Sequence, residues 1–111
     1  MELMFADWRL QRTLASRVRV DDRFGESAGA LVRQRICELV AADNLAVAAV
    51  VPTLDLRAVD SAVGTFSVQL TPRFRLRFDV ASEPVPRAGG DGQIDLAEVG
   101  ALRIVAVEEI S

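Results

Sequence analysis

Three arginines alternate with three apolar residues in the run Pro72-Arg73-Phe74-Arg75-Leu76-Arg77-Phe78. A strand sends successive side chains to opposite faces, so Phe74, Leu76 and Phe78 share one face and Arg73, Arg75 and Arg77 the other. The apolar face belongs in a core. Guanidiniums aligned on the opposite face repel one another unless something anionic sits among them. A guanidinium fork matches a pair of phosphate or carboxylate oxygens, so that face is a candidate anion site. The alternative is a solvated face paired with the chain's own Asp and Glu, as exposed faces of antiparallel sheets often are.

Other chemistry is narrowed by what is missing. The 111 residues include no His and no Tyr, and all thirteen basic residues are Arg. Without His the chain lacks the commonest proton shuttle near neutral pH, and without Lys it lacks amine nucleophiles. Cys37 is the single cysteine, which points to a reducing cytoplasm and to a small buried apolar residue on a helix. Neither a metal nor a cofactor site is expected. Glu108 and Glu109 are adjacent carboxylates near the end, and Glu109 is a candidate for a general base. Gly89-Gly90-Asp91-Gly92 lacks the G-x-G-x-x-G spacing of a phosphate loop and reads as a connection.

These residues must be held by a fold. Half of the chain is apolar and the formal net charge is −3, which suits one domain with one core and argues against a general nucleic-acid binder. No apolar run approaches the roughly 20 residues of a membrane-spanning helix. Glu2–Phe5 reads as a first strand, and Asp7 as the N-cap of a helix carrying Leu10 and Leu14 on one face. Trp8, at the start of that helix, is expected to seal the edge of a core. Val18 to Arg23 is ambiguous between helix and turn. A second helix spans Ser27 to Ala42, and Asp43-Asn44 ends it or caps a short helix over Leu45 to Val50.

After Pro52 the period changes to alternation. Leu54 to Val59 and Gly64 to Leu70 read as strands, the latter with Phe66, Val68 and Leu70 inward and Thr65, Ser67 and Gln69 outward. Thr71-Pro72 turns into the arginine strand, making an antiparallel hairpin. Pro84 to Gly92 is a loop. Asp95 caps a helical turn, and Ala101 to Glu108 is the last strand, with Leu102, Ile104 and Ala106 on one face. The fold class is α+β, with two N-terminal helices packed on a mainly antiparallel sheet of four to five strands, in one domain over residues 1–111.

Several strings, taken in order, resemble one known family. They are Ala41-Ala42-Asp43-Asn44-Leu45, Phe74-Arg75-Leu76-Arg77-Phe78, Glu83-Pro84-Val85-Pro86, Gly89-Gly90-Asp91-Gly92, Ile94-Asp95-Leu96 and Val99 to Glu109. As a set they resemble the HigB-like plasmid-maintenance killer proteins of the RelE/ParE toxin superfamily, some of them labelled "killer suppression protein HigA". The resemblance implies a RelE-like fold and the toxin of a type II toxin–antitoxin module. It implies a cytoplasmic protein, with a cognate helix-turn-helix antitoxin as partner and mRNA or the ribosome as target. It also implies metal-independent endoribonuclease chemistry, in which the 2′-hydroxyl attacks the adjacent phosphate.

Residue by residue, the family's Tyr-Arg-Leu-x-Phe strand matches Phe74 to Phe78, which makes Arg75 the candidate catalytic phosphate contact. Arg73, Arg77, Arg57 and Arg103 are candidate substrate-binding residues. Two departures weaken the catalytic set. Relatives often carry Leu-Lys-Gly where this chain has Ala58-Val59-Asp60, and Asp-Tyr-His where it has Glu109-Ile110-Ser111. The alternative is a non-catalytic module that keeps the fold and binds an antitoxin-like partner.

Overall fold

The computed structural model describes residues 1–82, 84–88 and 92–110. Outside the described residues lie Gly89, Gly90 and Asp91 of the expected loop, Glu83 of the resembling strings and Ser111 of the terminal triplet that departs from the family pattern. The chain begins with strand β1 (Glu2–Phe5) and helix α1 (Trp8–Leu14). Asp7 caps α1 as expected, accepting the Arg9 backbone N–H at 2.7 Å.

The stretch left ambiguous is a helix of its own, α2 (Arg17–Phe24). Ser16 caps it by accepting the Arg19 N–H, and Gly25, at φ 87°, ends it in a conformation that glycine tolerates best. Helix α3 (Glu26–Ala41) then runs back along α2. Gly29 makes that approach possible, because a methyl group there would lie 3.2 Å from the Asp21 Cα. Asn44 caps α4 (Leu45–Ala49) through the Val47 N–H at 3.0 Å. The described chain therefore has four helices, not two, because Ser16, Gly25 and Asn44 each impose a local boundary.

Strands β2 (Arg57–Asp60), β3 (Thr65–Thr71) and β4 (Phe74–Val80) follow. Leu54 to Leu56, expected to open a strand, lie outside it, and the turn over residues 52–54 tucks Leu54 into the core. The turn into β4 closes on Thr71, whose Oγ1 accepts the backbone N–H groups of Arg73 and Phe74, each at 3.1 Å. Within the expected loop, β5 (Arg87–Ala88) pairs with β6 (Gln93–Ile94) as a small separate ribbon. A 3-10 turn (Leu96–Glu98) leads into β7 (Ala101–Glu109).

The five-stranded sheet has the order β1-β7-β4-β3-β2. Only β1 and β7 pair in parallel, and the remaining pairs are antiparallel. Phe66, Val68, Leu76, Phe78, Leu102 and Ile104 turn to one face and join a single core with Leu10, Val20, Val32, Leu39, Leu45 and Ala48 from the four helices. Phe78 is fully buried and stacks on Phe66 with ring centroids 6.3 Å apart. Phe74 meets Phe24 of α2 edge-on at 5.1 Å.

Alternation fails once in the last strand. Phe78 pairs with Ile104 and Arg77 with Ala106, so Val105 is a bulge. The extra residue moves Val107 opposite Leu76 and onto the core face, displacing the expected Ala106. Two other expectations are overturned by helix geometry. Trp8 is 64% exposed instead of sealing the core, and Cys37 is exposed instead of buried. Leu10 and Leu14 take the inward face of α1, and Val32 and Leu39 that of α3, which leaves Trp8 and Cys37 on outward faces. No helix among the described residues is long and apolar enough to cross a membrane.

Replacing Phe78 with Ala removes the largest fully buried side chain of this core. The expected loss is about 3–5 kcal/mol, measured by urea unfolding. A loss below about 1 kcal/mol would show that Phe78 is not the centre of the packing.

Candidate functional site

Burial of Leu76 and Phe78 forces Arg75 and Arg77 onto the opposite face of β4. Arg73 sits in the turn before the strand and is mostly exposed. That face also carries Arg57 of β2, Ser67 of β3, and Arg103 and Glu108 of β7, by the register of the pairs. All five sequence-expected arginines therefore share one side of the sheet or its margin.

Four of these charges are met within the chain. Arg75 is 13% exposed and acts as a clasp. Its Nε donates to Ser67 Oγ at 2.9 Å and its Nη1 to Asp55 Oδ2 at 3.1 Å. Its Nη2 donates to the Asp55 carbonyl at 2.5 Å and the Ser67 carbonyl at 3.1 Å. Arg57 Nη2 reaches the same Asp55 Oδ2 at 2.9 Å. Arg77 pairs with Glu108 at 2.8 Å, and Arg73 with Glu109 at 2.6 Å. Glu109, the candidate base, is thus an ion-pair partner at the strand end. Arg103 faces Asp79 in register, and Asp79 accepts the Thr65 hydroxyl at 2.7 Å.

Sequence reasoning missed Asp55, the residue that organises this face. Asp55 has φ 44°, the only positive φ of a non-glycine residue among those described, and Asp is one of the few types that tolerate it. The left-handed turn carries its carboxylate and carbonyl over β3 toward Arg75. Ser67, expected to point outward into solvent, is buried beneath that contact. The Arg75 hydrogen bond, with Coulombic help from Arg57 and Arg75, outweighs the opposing effect of burial and holds the Asp55 carboxyl below its ordinary value of 3.8.

Two cavities open elsewhere. One, of about 390 Å³, lies between the β2–β3 turn and β6 and is floored by Phe66 and Ile94. Arg87 closes its side by donating to the carbonyls of Ala62 and Gly92 at 2.6 and 2.9 Å. The second, of about 280 Å³, lies between α1, α2 and the bulged part of β7, with Arg9 and Arg23 in its walls. Neither includes any of the five sequence-expected arginines. Among the described residues no group of three or more His, Cys, Asp or Glu is placed to hold a metal ion. No family model, curated protein or solved structure matches this chain.

Two outcomes follow from the clasp. Arg75→Ala strands the Asp55 and Ser67 carbonyls and a carboxylate, and should lower stability by about 2–3 kcal/mol in chemical denaturation. An unchanged midpoint would reduce Arg75 to a surface charge. The depressed Asp55 contributes stability that is complete above its ordinary pKa of 3.8 and lost as pH falls through its lower folded value. Stability measured from pH 5 downward should therefore fall less steeply in Asp55→Asn, whose amide keeps the turn but does not titrate. Identical slopes would remove Asp55 from the acid response.

Proposed function

We propose that this chain is a non-catalytic binding domain of the RelE-like kind, whose partner is an antitoxin-like helix-turn-helix protein. The observation that carries the reading is the neutralised sheet face. Arg57, Arg73, Arg75 and Arg77, four of the five arginines that a nuclease would use to hold a phosphate, each already meet a carboxylate of this chain. An RNA phosphate would have to displace Asp55 from Arg75, and with it the turn that covers Ser67.

The chemistry points the same way. General acid–base assistance is worth about 10²–10⁴ in rate, and its usual donors His, Lys and Tyr do not occur in this chain. Glu109, the remaining candidate base, is engaged by Arg73 at the exposed strand end. On this reading the arginines are structural, and the domain works in the cytoplasm by occupying a partner instead of cutting RNA.

The test is expression of the chain alone, with growth followed and mRNA 5′ ends mapped. Unchanged growth and no new ends are expected from the wild type. Growth arrest, with cuts that disappear in Arg77→Gln (a variant that leaves the Asp55 clasp intact), would overturn the proposal and restore the endoribonuclease reading.

A further inference from the structure

The sheet has an edge that its own strands leave open. β1 pairs with β7 only from Glu2 opposite Ala101 to Phe5 opposite Ile104. One more rung follows, with the Ala6 N–H donating to the Ile104 carbonyl at 2.9 Å. Asp7 then caps α1 and turns the chain away. β7 continues to Glu109 against β4, so among the described residues no strand pairs with the outer side of Val105–Glu109. An unpaired edge is a template for an added strand.

The second cavity lies along this edge. Val105, Ala106 and Val107 form one wall, and Arg9, Thr13 and Arg23 form the other. Asp7 also borders it, but its carboxylate is engaged by the Arg9 backbone N–H. The two guanidiniums are the least satisfied charges nearby. Among the described residues Arg9, Arg12, Arg17, Arg19 and Arg23 form no ion pair, whereas Arg57, Arg73, Arg75 and Arg77 all do. Arg9 and Arg23 rest on the faces of Trp8 and Phe24, with each Cζ 5.4 and 5.3 Å from the ring centroid.

We propose that the Val105–Val107 edge takes an extended acidic segment of a partner protein as a sixth strand, with its carboxylates received by Arg9 and Arg23. Main-chain hydrogen bonding to the edge selects an extended peptide, and the unpaired guanidiniums select its charge. The half-buried Val105 and Val107 offer an apolar floor for alternate side chains. The bulge at Val105 adds local twist where the incoming strand must follow the sheet. A protein partner is also what the binding-domain reading requires, and this site rests on that reading for the class of partner.

The probe is a blocked synthetic peptide, Val-Glu-Val-Asp-Val-Glu, compared with its Val-Lys counterpart and with a uridine hexanucleotide. Trp8 is the only tryptophan, and Arg9 lies over its ring, so its fluorescence reports engagement of Arg9 directly. The acidic peptide should saturate this signal and shift the backbone amides of Val105–Val107 in NMR spectra. The Arg9→Gln/Arg23→Gln double variant, confirmed to melt as the wild type does, should bind it about tenfold or more weakly. Equal binding of the Val-Lys peptide, preference for the hexanucleotide, or amide shifts confined to other strands would overturn the proposal. If the acidic peptide fails while the chain expressed alone neither arrests growth nor cuts mRNA, the binding-domain reading survives and this site falls.

Discussion

A guanidinium taken out of water must have its donors met by the protein, and Arg75 is where this chain meets that demand. Its position follows from the core, because β4 buries Leu76 and Phe78 and so commits Arg75 to the other face. Its satisfaction requires the segment before β2 to fold over β3 with Asp55 in a left-handed turn. That turn buries Leu54 on one side of the sheet and covers Ser67 on the other. A single clasp thereby joins the loop after α4, strand β3 and strand β4, and a conformation unfavourable for most residues is held by hydrogen bonds to a charge.

The same clasp divides the charges of the molecule into two populations. Arginines on the sheet face and its margin are largely consumed by Asp55, Glu108 and Glu109. Those on α1 and α2 are left to solvent and to aromatic faces. A formal net charge of −3 conceals this asymmetry, since the acids that balance the sheet face do nothing for the helices. Among the described residues the arginines of α1 and α2 therefore stay without carboxylate partners, although the denser arginine pattern in the chain lies in β4.

Much of the architecture was legible because its causes are local. Asp7 and Asn44 cap helices through N–H groups two or three residues away. Thr71 and Pro72 close the hairpin through contacts within three residues. The inward placement of Leu76 and Phe78 follows from the period of a strand. What stayed illegible depends on distant partners. Ser67 reads as an outward polar residue until Arg75 and Asp55 close over it. Ala106 reads as inward until one extra residue at Val105 shifts the register. Trp8 and Cys37 read as core residues on composition, yet other residues of the same helices had already filled the inward faces.

The arginine pattern itself marks the boundary between the two kinds of knowledge. Alternation alone determined that Arg75 and Arg77 share a face opposite Leu76 and Phe78, because successive side chains of a strand must point apart. Whether that face would hold a foreign anion or an internal carboxylate was decided only in three dimensions. Asp55 lies twenty residues earlier in the chain, and nothing in its local sequence says that a left-handed turn will lay its carboxylate across β3. The open edge of β7 is likewise a tertiary outcome. It exists because Asp7 caps a helix and ends β1 while β7 keeps its partner on the other side, a difference in strand length that appears only when the two are laid together.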